Sequence, residues 1–214
     1  MFAFLQKSWQ YRVAKGKRGC IMWERKKERS EVKKMELRVK TALYAYPQLD
    51  RIVGDYEEHV KNKAYLSYGS KMPTERLAEY LALEIVRRQS TDKLKHGIEK
   101  VLVTLGEEEK MLLDARYFGK IDKVRRLFAA QKAGLCKLPF KPWCERTYYR
   151  KQAKLLKKIA SALKTTGVLT EKNFDEEYLE IDYVAMLYQY LLAGKEISGS
   201  KKERQLLCFL SEIK

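Results

Sequence analysis

The chain has 214 residues, 45% of them apolar, with 45 Lys/Arg against 28 Asp/Glu for a formal charge of +17. That length and apolar share suit one large or two small domains with a buried core and argue against disorder throughout. No run approaches the ~18 apolar residues of a membrane span, so no membrane partner is expected.

The charge is unevenly placed. Residues 1–40 hold thirteen Lys/Arg and four Asp/Glu, residues 137–164 hold nine and one, and residues 170–214 hold six and nine. Two basic blocks and an acidic tail point to a polyanion-binding surface rather than to charge spread for solubility. Residues 1–34 are rich in Lys, Arg, Trp and Tyr with weak periodicity. They read as a basic arm, or as an extension ahead of a start at Met22 or Met35. The opening Met-Phe-Ala-Phe-Leu-Gln-Lys puts apolar residues before charge, the reverse of a secretory leader.

From residue 35 onward nearly everything reads as helix, and no segment sustains strand alternation. Residues 35–72 form an N-terminal helical segment. A first helix, over about 30–46, carries Val32, Met35, Leu37, Val39, Leu43 and Tyr44, and Pro47 is expected to end it or to open the next. Leu49, Ile52, Val53, Tyr56 and Val60 continue at helical spacing to Leu66, and Ser67–Pro73 reads as a linker. Thr74 is a candidate cap for a helix with Leu77, Leu81 and Ile85. Ser90-Thr-Asp is a candidate restart for Leu94, Ile98, Val101, Leu102 and Leu105.

Leu105-Gly-Glu-Glu-Glu-Lys-Met-Leu-Leu-Asp-Ala-Arg-Tyr-Phe-Gly119 opens a helix on three carboxylates, which suit the positive end of a helix dipole, and closes it at glycine. Consecutive glutamates point in different directions on a helix, so dipole pairing is the preferred reading over metal ligation or acid/base work. The strongest amphipathic helix follows, over Glu145–Ala160. At about 100° per residue, Tyr149, Gln152, Ala153, Leu155, Leu156, Ile159, Ala160 and Leu163 gather on one side, with Tyr149 read as core. Arg146, Thr147, Arg150, Lys151, Lys154, Lys157, Lys158 and Lys164 occupy the opposite arc, the pattern a helix needs to meet phosphates and base edges. Trp143 beside Pro142 is expected to pack the preceding turn. Thr170 is a candidate cap for an acidic helix carrying Tyr178, Ile181, Val184, Leu187, Tyr188 and Leu191, expected to fold back within the chain. Gly194–Ser200 leads to a short final helix with Leu206, Leu207, Phe209 and Leu210.

Sites for chemistry are sparse. Cys20, Cys136, Cys144 and Cys208 form no Cys-x-x-Cys pair, and His59 and His96 supply no zinc spacing, so no metal or cofactor is expected; the thiols read as reduced, with the even count leaving disulfides open. Asp55-Tyr-Glu-Glu-His59 reads as surface. No phosphate-cradling glycine loop, nucleophile elbow or His–carboxylate pattern suggests an enzyme.

Leu105, Glu108, Glu109, Leu112, Leu113, Arg116, Tyr117 and Phe118, followed by Arg146, Thr147, Tyr149, Arg150, Leu155 and Leu156, make residues 94–163 resemble region 4 of bacterial sigma factors. The likeness extends to the ArpU-like late regulators of phages and Gram-positive bacteria. The family's Glu-Ile-Ala-x-x-Leu-Gly middle helix is replaced by Ile121–Ala133, and Cys144 stands where the family usually caps with Ser.

The resemblance implies an all-α protein with a helix-turn-helix over residues 73–166. A C-terminal acidic helical segment, residues 170–214, follows it. Arg146, Thr147, Arg150 and Lys151 would lie near base edges, and Lys154, Lys157 and Lys158 near phosphate. It further implies a cytoplasmic, nucleoid-associated transcription regulator with double-stranded DNA and RNA polymerase as partners. The N-terminal half contains no recognisable region 2, which favours an accessory regulator over a true sigma factor. The residues alone leave open a non-enzymatic adaptor that meets RNA or an acidic protein through the same basic face.

Overall fold

A computed structural model describes the backbone of residues 2–66, 73–140, 143–195 and 197, and within these the side chains from Glu31 onward except Leu66. The described residues form helices and connections, with no strand among them. Residues 67–72 of the expected Ser67–Pro73 linker and the final helix around Leu206–Leu210 lie outside the described residues. No helix among the described residues is long and apolar enough to cross a membrane. The chain divides into two compact units, Met1–Glu36 and Leu37–Lys214.

Helix α1 runs without interruption over Phe2–Leu66 and takes in the N-terminal basic block. Pro47 lies inside it, so the boundary expected there is absent. A proline within a helix costs about 3 kcal/mol through one lost hydrogen bond and a clash with the preceding turn. Leu43 and Leu49 on either side are fully buried, as are Val39, Ala42 and Ala45, while Pro47 itself faces out. Burial of each large aliphatic side chain contributes about 1.5–3 kcal/mol, enough in sum to hold the helix through the proline.

Helix α2 spans Thr74–Val103. Pro73 occupies the N-cap position and Thr74 the first turn, so Thr74 is not the cap. The restart expected at Ser90 is also absent. Ser90 and Thr91 are buried mid-helix, and the Thr91 hydroxyl donates to the Arg87 carbonyl at 2.8 Å, which satisfies it without breaking the helix. Leu94, Ile98 and Val101 are buried, whereas Ile85, grouped from sequence with Leu77 and Leu81, is exposed beside Leu83 and Val86.

Helices α3 (Glu107–Arg116), α4 (Ile121–Lys132) and α5 (Glu145–Thr165) follow. Gly119, at φ 68°, adopts the left-handed conformation that lets the Lys120 amide reach the Asp114 carbonyl at 2.8 Å and turns the chain sharply into α4. The α4–α5 connection, Ala133–Cys144, is longer than the roughly 3–4-residue turn of a helix-turn-helix. Gly97 of α2 is buried where a Cβ would overlap the Val168 side chain, so α2 and the turn after α5 meet through a missing side chain.

The acidic segment folds back within the chain. The Thr170 hydroxyl accepts from the Asn173 amide at 3.1 Å and caps α6 (Glu171–Asn173), which runs into a π-turn over Phe174–Tyr178. After a break at Ile181, α7 covers Asp182–Leu192. Phe174, Tyr178, Ile181, Val184 and Leu187 are buried, and Arg38 reaches Glu171 at 3.0 Å and Asp175 at 3.1 Å.

Candidate nucleic-acid interface

Helix α5 meets the body of the molecule through Leu155, Leu156, Ile159 and Leu163, all at most 5% exposed. Gln152, half-buried on the same side, donates to the buried Tyr117 hydroxyl at 3.2 Å. The Tyr117 ring in turn lies 4.8 Å from that of Tyr44, so α1, α3 and α5 join at one tyrosine. Burial drives the Tyr117 hydroxyl well above its ordinary titration range and keeps it a neutral hydrogen-bonding group.

The start of α5 is held by rings rather than by a tight turn. Trp143 stacks on Phe140 at 5.9 Å and meets Phe128 of α4 edge-on at 4.9 Å. It also tilts against Tyr148 at 5.9 Å, and its indole N–H donates to Glu108 at 2.9 Å. The expectation that Trp143 packs the turn holds. Cys144 occupies the N-cap without a side-chain bond to the helix amides, though its sulfur contacts the Thr147 hydroxyl at 3.1 Å. That hydroxyl, with the Thr147 amide and others nearby, lowers the thiol's pKa.

The basic residues of α5 separate into two groups. Arg146, Arg150, Lys154 and Lys157 are exposed and form no ion pair with another described side chain. Arg146, Arg150 and Lys157, with Lys164 further along, fall within a band of about 40°, and Lys154 lies about 40° beyond it. From Arg146 to Lys164 the band is about 27 Å long.

Lys151 and Lys158 lie about 120–140° round from Arg146 and turn back toward α3. Lys151 pairs with Glu108, and Lys158 pairs with both oxygens of Glu109 at 2.9 and 2.7 Å. The Lys151 and Trp143 hydrogen bonds hold the Glu108 carboxyl below its usual range. At Glu109 burial pushes the pKa up, but Lys158 and the Gly106 amide, 3.1 Å away, outweigh it and the net shift is downward. No cluster of His, Cys, Asp or Glu among the described residues could hold a metal ion.

Two neighbours of the cation band were not legible as such. Tyr149, expected in the core, is 55% exposed. Its ring lies edge-on to Tyr148 at 5.4 Å, because Tyr148 takes the inward position against Trp143. On the opposite flank a groove of about 520 Å³ separates α5 from the end of α2, lined by Lys100, Thr104, Lys158, Ser161, Ala162 and Thr165. Nothing local marks Lys100 as part of this surface, since its placement depends on the α2–α5 packing.

Comparison with family models, curated proteins and solved structures gives no match to this chain. The meaning of the surface therefore rests on its own residues.

Proposed function

We propose that the protein is a non-enzymatic, sigma region 4-like transcription regulator that reads duplex DNA with α5. One observation carries the reading: a helix whose back is fully buried and whose front carries Arg146, Arg150, Lys154 and Lys157 with no acidic partner among the described residues. An α-helix fits the major groove of B-DNA, about 12 Å wide, and its N-terminal side chains then lie nearest the base edges. Arg146 and Arg150 are the base readers, because a guanidinium can contact guanine O6 and N7 in a bidentate way. Thr147, half-buried with its hydroxyl against Cys144, lies about 100° round from Arg146 and borders the band, and Lys154 and Lys157 face the phosphates, where contact gives salt-sensitive and sequence-blind affinity. Tyr149 flanks the same band and is a further contact residue. The longer α4–α5 connection departs from a tight helix-turn-helix, and the ring cluster around Trp143 takes over the orienting role of the turn. RNA polymerase is the proposed protein partner and the nucleoid the proposed location.

Selection from a random duplex library with the purified chain tests the reading. An enriched motif, lost in the Arg146→Ala/Arg150→Ala variant with binding to bulk DNA partly retained, supports it. Equal affinity for all duplexes, with RNA or an acidic protein competing as well as the best duplex, replaces it with the adaptor reading.

A further inference from the structure

Lys151 and Lys158 are separated by two helical turns and point the same way, and each meets a different carboxylate on the first turn of α3. The two glutamates are consecutive in sequence, yet each finds its own lysine. Glu109 also accepts from the Gly106 amide, and Glu108 from the Trp143 indole, so both carboxylates are fixed from a second side. The carboxylates thus occupy the positions on these lysines that backbone phosphates would otherwise take.

We infer that Glu108 and Glu109 are specificity-determining residues that withhold Lys151 and Lys158 from the DNA backbone. The inference rests on the duplex-reading role of α5 proposed above. Affinity from lysine–phosphate pairs is blind to sequence, so each additional pair strengthens binding to every site equally and narrows the relative gain from Arg146 and Arg150. Holding two of the eight polar residues of the α5 arc on internal carboxylates keeps that background low. The rotation of α5 is set by its buried Leu155, Leu156, Ile159 and Leu163, so the outward side chains stay in place when the ion pairs are removed.

The test is the salt dependence of duplex binding by the full chain. Each phosphate neutralised contributes about 0.9 to the slope of log affinity against log salt. Lys151→Met/Lys158→Met should leave the slope unchanged, whereas Lys154→Met/Lys157→Met should flatten it by about 1.8. Glu108→Gln/Glu109→Gln should raise affinity for a random duplex and steepen the slope by up to about 1.8, equivalent to about 12-fold more loss over a four-fold rise in salt. Both variants break the same two ion pairs, so helix content is checked by circular dichroism in each, and their different expected slopes separate release of the lysines from loosening of α3 against α5. A slope flattened in Lys151→Met/Lys158→Met overturns the inference while leaving duplex binding intact. Failure of the unmodified chain to bind any duplex overturns the duplex reading and this inference together.

Discussion

Gln152 on α5 donates a hydrogen bond to the hydroxyl of Tyr117, a residue only 2% exposed at the end of α3, across 3.2 Å. The bond ties the inward side of the basic helix to the ring that also meets Tyr44. Tyr117→Phe keeps the ring and removes the bond, at an expected cost of about 0.5–1.5 kcal/mol. Tyr117→Ala removes both and should cost about 3–5 kcal/mol. Urea unfolding of the two variants separates the contributions, and equal midpoints would show that the ring packing carries no weight.

Gly97 gives a second stability test, in which two effects oppose. Alanine is favoured over glycine in a helix interior by about 1 kcal/mol, yet a Cβ here overlaps Val168. Overpacking typically costs about 1–3 kcal/mol, so Gly97→Ala should destabilise the protein. Adding Val168→Ala should restore at least part of the loss. Thermal melts of the single and double variants check this, and a stabilised single variant would mean that α2 and the turn after α5 are not in close contact.

Arg38 provides a test of asymmetry. Its side chain is 6% exposed, whereas those of Glu171 and Asp175 are 61% and 46% exposed, and the guanidinium lies 5.8 Å from the centre of the Phe174 ring. Removing the acids strands a buried charge, a change that costs about 3–5 kcal/mol. Replacing Arg38 by Met leaves exposed carboxylates that water can solvate. Glu171→Ala/Asp175→Ala should therefore destabilise more than Arg38→Met in chemical denaturation, and the reverse order would contradict the burial argument.

Acid should weaken the α3–α5 clamp. Glu108 and Glu109 both titrate below their ordinary value near 4.5 in the folded protein. A depressed carboxyl pKa contributes stability that is fully present above the unfolded value and is lost as pH falls through the folded one. Stability should thus hold down to about pH 5 and then decline, and the decline should be shallower in Glu108→Gln/Glu109→Gln. Denaturation midpoints taken at intervals from pH 6 to pH 3 provide the comparison.

Tyr149→Ser should shift the melting temperature little, since an exposed substitution usually changes stability by less than about 0.5 kcal/mol. It should nonetheless weaken duplex binding, because the ring borders Arg146 and Arg150. A fall in stability without a change in binding would return Tyr149 to a packing role.

Much of the architecture could be read from periodicity because helix faces repeat locally. Leu155, Leu156, Ile159 and Leu163 are buried as their spacing requires, and Thr170 caps its helix as its position suggests. What escaped depends on distant partners. Pro47 lies within a helix because residues on both sides of it are buried. Ser90 and Thr91 pass as breakers until the Thr91 hydroxyl is seen bonded to its own helix. Tyr148 and Tyr149 are adjacent and chemically alike, and only the position of Trp143 decides which one turns inward. The pairing of Lys151 with Glu108 and of Lys158 with Glu109 left a faint trace in the seven-residue spacing of the lysines, but nothing in the sequence set α3 beside them.

The ring-held start of α5 separates loop length from helix orientation. Gly134, Leu135 and Lys137 are exposed, while the grip on the helix comes from Phe128, Phe140 and Trp143. The backbone near Lys137 can therefore tolerate an inserted residue or a protease cut, and a nicked chain should still elute from a sizing column as one particle with α5 in register.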